Sequence, residues 1–370
     1  MKTLIIGPVP PYRAGIAYCT KRLAETLGAP VISFKRQFPK FLYPGGDDVD
    51  PTLPRFEARF LLDIINPITW LRTAWTLRRE KPDAVILVWW VWVWALPYLT
   101  LLAFLPKRTK VILQCHNVGD KEPAAWKRWL TNRVLRRGDV LVVHAETEAE
   151  EVERRALARR SATGGLKPAA PQLVKTFLPV HELGGAIPTR AEARRTLGLD
   201  GNVALFFGHV RPFKGLDVAL RAWRLLESQV TLVVAGEAWW KSEDEYRALA
   251  QGLPNVRFDF RYIPDAEIAT YFAACDVVLA PYRIEAQSGV ALTAFHFARP
   301  VIASDAGGLP EIVDAEWIFP SADHAALAKR VDAFFARADR EELERRASAA
   351  ARKYSWEEYG ALFRRLVAGE

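Results

Sequence analysis

Short apolar runs rich in β-branched residues recur along the chain, each followed by apolar positions at helical spacing. In the first half the runs are Thr3–Gly7, Pro30–Phe34, Val85–Trp89, Val111–Cys115 and Val140–His144. The helical stretches between and after them are Ala17–Leu27, Pro67–Arg79, Leu96–Leu105, Trp126–Arg137 and Thr147–Arg160. The second half repeats the theme with runs at Val203–Gly208, Thr231–Gly236, Val256–Phe260, Val277–Pro281 and Pro300–Ser304. Its helices are predicted at Leu216–Ser228, Ser242–Gln251, Asp265–Ala273, Gly289–Ala298, Ala325–Ala338 and Arg340–Tyr354. Apolar strands alternating with helices imply parallel sheets covered on both faces. Two such series imply an α/β protein with two doubly wound, Rossmann-like domains.

Turn-forming residues place the boundary between Lys175 and Thr189, where Gly184-Gly185 and Pro188 punctuate the chain. The expected organisation is a first domain at 1–178, a linker at 179–188 and a second domain at 189–355. A last helix at 356–370, with Leu362, Phe363 and Leu366 on one face, is expected to pack back toward the first domain. Ser161–Pro171 reads as a mobile loop, and Arg36–Arg55 as a long irregular loop of the kind that often carries function.

Ala84–Pro106 is an uncharged stretch long enough to span a bilayer. Pro97 within it, and four tryptophans (Trp89, Trp90, Trp92, Trp94) away from its ends, favour a buried strand followed by a covered helix.

Half of the 370 residues are hydrophobic and a quarter charged, the balance of a globular protein. Three cysteines without a Cys-x-x-Cys pair exclude a disulfide scaffold and fit a reducing cytosol. Charge is unevenly spread. Residues 1–180 carry 28 Lys+Arg and 16 Asp+Glu, a net of +12 beside +8 for the whole chain. A basic first half suits nucleic acid, an anionic membrane surface or a phosphorylated substrate. No nucleic-acid motif accompanies it, and none is expected as partner.

In open α/β sheets ligands bind outside the carboxyl ends of strands, so the chemistry is sought there. Phe207-Gly208-His209-Val210-Arg211-Pro212-Phe213-Lys214-Gly215 leads from a strand to a helix. Cations beside a helix N-terminus suit a diphosphate, although taken alone this is a solvated basic loop. Glu285-Ala286-Gln287-Ser288-Gly289-Val290 repeats the strand–loop–helix arrangement. Backbone N–H groups at Ser288, Gly289 and Val290 suit phosphate oxygens, and Glu285 suits sugar hydroxyls.

These segments resemble the retaining family-4 glycosyltransferases of the GT-B fold. Gly208, Lys214 and Gly215 match a Gly-Arg-x-x-x-x-Lys-Gly motif. Glu285 with Pro300-Val301 matches part of a Glu-x7-Glu segment followed by Gly-x-Pro-Val, and Gly307-Gly308-Leu309-Pro310-Glu311 a Gly-Gly-x-x-Glu. Val233–Glu237 and Ala274–Tyr282 also look like family segments, and the Gln-Ser-Gly-Val loop resembles one subgroup. Two positions depart from the pattern. His209 replaces the family arginine, leaving Arg211 and Lys214 to face the diphosphate, and Thr293 replaces the second glutamate, which holds the ribose. In the first half, Pro10-Pro11-Tyr12-Arg13-Ala14-Gly15 looks like the family's glycine-containing loop. Trp89-Trp90 and Cys115-His116-Asn117-Val118 also look like subgroup segments.

The resemblance implies transfer of a sugar from a nucleotide-sugar donor to a saccharide or lipid-linked acceptor. Anomeric configuration is retained, and no cofactor or essential metal is used. His116, Glu285, Lys214 and Arg211 are the catalytic candidates. Donor contacts are expected from Gly15, Gly208, His209, Glu237, Tyr262, Gln287, Ser288, Gly289, Val290 and Thr293, and acceptor-side contacts from Arg13, Trp90, His116 and Asn117. Domain closure about the linker would assemble a site in the cleft. Asp47-Asp48-Val49-Asp50 resembles an Asp-x-Asp metal motif but reads as a solvated loop. Trp126-Lys127-Arg128-Trp129 with Arg133 and Arg136-Arg137 suits a membrane interface as well as a half-buried basic helix. An NDP-sugar epimerase of the same fold and a non-catalytic sugar-nucleotide binder are the other readings.

Overall fold

The computed structural model describes the chain apart from residues 14, 40–46, 119–123, 164–170, 183–185, 240–242 and 285–286, together with the side chains of 156–163. Glu285, Gly164-Gly165 and Gly184-Gly185 therefore lie outside the described residues.

The chain forms two units. One is Met1–Phe177 with Trp356–Glu370; the other is Leu178–Ser355. In the first, chain order runs β1 (Thr3–Ile6), α1 (Gly15–Leu27), β2 (Val31–Arg36), β3 (Arg59–Asp63), α2 (Pro67–Glu80), β4 (Ala84–Trp89), α3 (Ala95–Phe104), β5 (Lys110–Cys115), α4 (Ala125–Leu135), β6 (Val140–Val143), α5 (Glu146–Thr163) and β7 (Gln172–Lys175). Among the described residues these strands make one seven-stranded parallel sheet of order β3-β2-β1-β4-β5-β6-β7. The order reverses between β1 and β4, which places a topological switch point at their carboxyl ends.

The second unit runs α6 (Arg190–Leu197), β8 (Asn202–Phe207), α7 (Leu216–Trp223), β9 (Val230–Ala235), α8 (Glu243–Leu249), β10 (Val256–Asp259), α9 (Asp265–Ala274), β11 (Val277–Ala280), α10 (Gly289–His296), β12 (Val301–Ser304), β13 (Ile318–Phe319), α11 (His324–Ala336) and α12 (Arg340–Lys353). Among the described residues its strands form a six-stranded parallel sheet of order β10-β9-β8-β11-β12-β13, with the switch point between β8 and β11. The last helix, α13 (Trp356–Ala368), belongs to the first unit and packs on α1 and β5.

The uncharged stretch folds as a strand and a short helix. All six residues of β4 are buried, and Trp94, Tyr98 and Leu101 enter the same core. Pro97 falls in the first turn of α3, where its missing N–H costs no helical hydrogen bond. Among the described residues, no helix is long and apolar enough to cross a membrane.

Several elements differ from expectation. β3, β7, β13 and α6 are additional. Ser161–Thr163 continue α5 instead of opening a loop. The Asp47–Asp50 segment is not solvated throughout. Asp50 is buried and accepts hydrogen bonds from the Thr52 backbone N–H and hydroxyl, at 2.8 and 2.6 Å. The Asp48 carbonyl accepts from the Arg13 N–H and the Pro11 carbonyl from the Asp50 N–H, so this segment braces the loop after β1. Burial raises the Asp48 carboxyl above its ordinary pKa.

Candidate functional site

The two second-half motifs meet at the β8/β11 switch point. β8 ends at Phe207, and Gly208 follows at φ +95°. A Cβ placed on Gly208 would sit 3.5 Å from Val290 Cγ2, in ordinary contact, so the loop after β8 and the first turn of α10 are neighbours. A short 3-10 turn, Pro212–Lys214, then leads through Gly215 into α7. Gly215 has φ +72°, and a Cβ there would lie 1.9 Å from the Pro281 carbonyl oxygen. No other residue type fits without moving the chain after β11.

The second loop is locked onto the first. The Arg283 N–H donates to the Phe213 carbonyl at 2.7 Å, and one Arg283 guanidinium nitrogen donates to the Pro212 carbonyl at 2.9 Å. The same guanidinium grips Asp217 of α7 with both arms, at 2.8 and 2.7 Å. Lys214 holds its ammonium over the Tyr282 ring, 3.7 Å from the centroid. Tyr282 is itself buried, and its carbonyl accepts from Ser304 Oγ at 2.6 Å.

Arg211 and His209 are held by a residue that sequence reasoning missed. Pairing continues past the ends of β8 and β9 as a bridge between Val210 and Ala238, with the Val210 N–H donating to the Glu237 carbonyl. This puts buried Trp239 beside both side chains. The Arg211 guanidinium lies 4.0 Å from the Trp239 ring centroid, and the His209 ring 4.6 Å from it. Trp239 Nε1 donates to the Glu237 carboxylate at 2.8 Å, with His209 Nδ1 3.9 Å from the same oxygen atom. A cation on an indole face is attracted by the ring quadrupole while its N–H groups remain directed outward. The only signal in the sequence was an aromatic residue just past an apolar run.

At the N-terminus of α10, Ser288 is the N-cap, its hydroxyl oxygen accepting from the Ala291 N–H at 3.2 Å. A Cβ on Gly289 would enter open space. Thr293 is buried, and its hydroxyl donates to the Gly289 carbonyl at 2.7 Å, which leaves it acceptor capacity only. The Gln287 side-chain carbonyl accepts from the Leu178 N–H, so this half of the amide ties down the chain segment entering the unit and is not turned to a ligand. Tyr262 is half-buried in the loop between β10 and α9, apart from these two loops in sequence.

In the first unit, the loop after β1 and the end of β4 flank the other switch point. Arg13 is half-buried, and a Cβ on Gly15, at the start of α1, would meet open space. Trp90 packs on Phe34 and Trp94 at 5.8 and 6.3 Å between centroids, which makes it part of the core edge. His116 follows β5, its N–H donating to the Trp89 carbonyl at 2.8 Å. The half-buried Asn117 comes next. The His116 ring stacks on His144, 5.1 Å between centroids. His144 Nε2 lies 2.8 Å from the Tyr359 hydroxyl of α13, which accepts from Gln114 Nε2 at 2.8 Å. Burial, reinforced by His144, holds the His116 pKa well below the usual histidine value, and burial pushes His144 down to about 4. Both rings are neutral near pH 7. Among the described residues, His116 Nε2 is buried without a hydrogen-bond partner.

The second sheet and its loops fall within a match to the family described as glycosyl transferases group 1, over residues 201–337. Residues 13–163 match the glycosyl transferase 4-like domain. The chain belongs to the group 1 glycosyltransferases of the GT-B fold.

A D-inositol 3-phosphate glycosyltransferase of Saccharomonospora viridis is 30% identical over 243 residues, 60% of this chain and 54% of the relative. One of Actinosynnema mirum is 34% identical over 197 residues, 49% of this chain and 44% of the relative. The chain thus spans about half the length of these relatives. Among solved structures, the sucrose-phosphate synthase of Thermosynechococcus elongatus superimposes with a TM-score of 0.73 at 19% identity, covering 100% of both chains. Anabaena HepE in complex with UDP-glucose does so with a TM-score of 0.73 at 16% identity, again over 100% of both. These two share the fold.

Proposed function

We propose that the protein moves a sugar from a nucleotide-sugar donor to a hydroxyl acceptor with retention of anomeric configuration, in polysaccharide or glycolipid synthesis. The observation that carries the reading is the meeting of Arg211, Lys214 and the N-terminus of α10 at one switch point. Cations and backbone N–H groups aimed at one place stabilise a departing diphosphate, which is where charge develops in glycosyl transfer. Trp239 gives Arg211 a fixed seat beside His209.

In this mechanism the bond from the anomeric carbon to the donor diphosphate breaks. The acceptor oxygen bonds to the same carbon on the face being vacated, and its proton passes to a donor phosphate oxygen. Arg211 and Lys214 take up the charge left on the diphosphate, so no step requires a resident metal. Glu285 is assigned to the sugar hydroxyls by the resemblance alone. Thr293 has acceptor capacity for a single ribose contact. His116, with Nε2 unsatisfied, suits a hydrogen bond to a sugar or acceptor hydroxyl. The epimerase reading needs an acid–base pair, and His116 is the single candidate the sequence offers for it. The three buried free cysteines support a cytoplasmic setting.

The test is release of nucleoside diphosphate from a panel of UDP-, GDP-, ADP- and dTDP-sugars, with UDP-sugars first because HepE holds UDP-glucose. Turnover with one nucleotide class that falls about 100-fold or more in Lys214→Ala supports the reading. Turnover unchanged by that substitution rejects it.

A further inference from the structure

The helices α2, α3 and α4 lie side by side on one face of the first sheet, with α3 packed against both neighbours. Their inward faces supply the core. Their outward faces have the wrong chemistry for water. On α2, Ile68, Leu71 and Trp75 recur at helical spacing on the outer side, 59%, 50% and 56% exposed. Leu96 opens α3 and is also exposed. On α4, Trp126 and Trp129 stand out at 53% and 56%. A helix on the surface of a globular protein normally turns a polar stripe outward. Apolar side chains turned outward on three adjacent helices make an interaction surface.

Among the described residues of these three helices, the outward charge has one sign. Glu80 is the one acid in the three helices, and it is drawn to the sheet edge by Arg59 and Lys2. Arg72, Arg78 and Arg128 are exposed on the same helices. Cations also sit directly on the aromatic rings. Arg79 lies 4.5 Å from the Trp75 centroid and Arg133 lies 4.6 Å from that of Trp129. Lys127 is 5.3 Å from Trp92, whose ring meets Trp126 edge-on at 4.6 Å.

We propose that this face docks on an anionic lipid surface, with the tryptophans and aliphatic side chains entering the headgroup boundary and the Arg and Lys side chains meeting lipid phosphates. Amphipathic tryptophans favour that boundary, and flanking cations snorkel to the phosphates. A second copy of the chain fits poorly, because a two-fold interface would set these arginines against each other. Nucleic acid fits poorly, because Ile68, Leu71 and Leu96 offer nothing to bases or phosphates. Docking requires no donor. Its consequence, delivery of the enzyme to a lipid-linked acceptor, rests on the function proposed above.

The experiment is co-sedimentation of the full chain, without donor, with vesicles of phosphatidylcholine alone or with one part in three phosphatidylglycerol. Binding is expected to the anionic vesicles, to weaken in about 0.5 M salt, and to fall about tenfold or more in W75A/W126A/W129A and in R78E/R128E/R133E. The substituted side chains are exposed, and a melting temperature within a few degrees of the parent shows that each variant folds. Arg345→Glu, on α12 of the other unit, is expected to bind as the parent does. Absence of binding to anionic vesicles overturns the proposal, as does equal binding by folded variants. Concentration-dependent dimerisation without lipid, abolished by the tryptophan substitutions, overturns it in favour of a second copy. Donor turnover is measured separately, so failure here and failure of the glycosyl-transfer reading are distinguishable.

Discussion

Lys214 and Tyr282 are 68 positions apart in the chain, yet the lysine ammonium lies 3.7 Å from the centre of the tyrosine ring. β8 and β11 are neighbours in the sheet, so the loops at their ends are neighbours too. The buried ring fixes the ammonium at the switch point before any ligand arrives. Lys214→Ala is expected to weaken nucleoside diphosphate binding by about 2 kcal/mol, about 30-fold, the scale of a lost hydrogen bond to a charged group. Tyr282→Leu keeps the cation and loosens its seat, with a smaller loss of about threefold. Titration calorimetry with the nucleoside diphosphate ranks the two.

Trp239 carries Arg211 on one face and holds Glu237 through its indole N–H. Trp239→Phe keeps a ring but removes the N–H, and is expected to raise the donor KM modestly. Trp239→Ala removes the platform and is expected to raise it about tenfold, with the melting temperature reporting the packing cost separately. Equal KM values in the parent and in Trp239→Ala would show that Arg211 does not need the ring.

Gly215 is expected to tolerate no side chain. Gly215→Ala places a carbon 1.9 Å from the Pro281 oxygen at positive φ. A loss of about 2 kcal/mol or more is expected, read as a fall of several degrees in melting temperature. Gly15→Ala, where the new methyl meets open space, is expected to leave stability unchanged.

The buried histidines set an acid limit. His144 titrates at about 4 in the folded protein against an ordinary 6.5, as does His181 in the other unit. Between those values the unfolded chain takes up protons that the folded chain refuses. Stability is therefore full above pH 6.5 and falls as pH drops toward 4, by up to about 1.4 kcal/mol per pH unit for each group. Urea unfolding at pH 7.5, 6 and 5 checks this. His144→Asn is expected to be less stable at pH 7.5, having lost the Tyr359 bond, and to lose less on acidification.

The alternation of strands and helices was readable because central strands are buried on both faces and show as unbroken apolar runs, as in β4. The missed elements lack that signal. β3 (Arg59–Asp63) is an edge strand with charged ends and mostly half-buried residues. β7 is a half-exposed edge. In α6, which buries Ala193 alone, the signal lay in the Thr189–Glu192 capping box before Gly198. The motifs around Lys214 and Ser288 could be found because each lies on one loop. Trp239 under Arg211 could not, since that contact depends on pairing between β8 and β9 beyond the strands themselves. The tether of the Gln287 carbonyl to Leu178 leaves no mark in the local pattern, because it spans 109 positions.

On the reading proposed above, Arg211, Lys214 and the start of α10 form a nucleotide-sugar diphosphate site. Calorimetric titration of the full chain with the four nucleotide-sugar classes, repeated with Lys214→Ala, tests it most directly. Saturable binding of one class is expected, weakened about 30-fold by the substitution. Absence of binding with all four, or equal affinity in the parent and the variant, would contradict it.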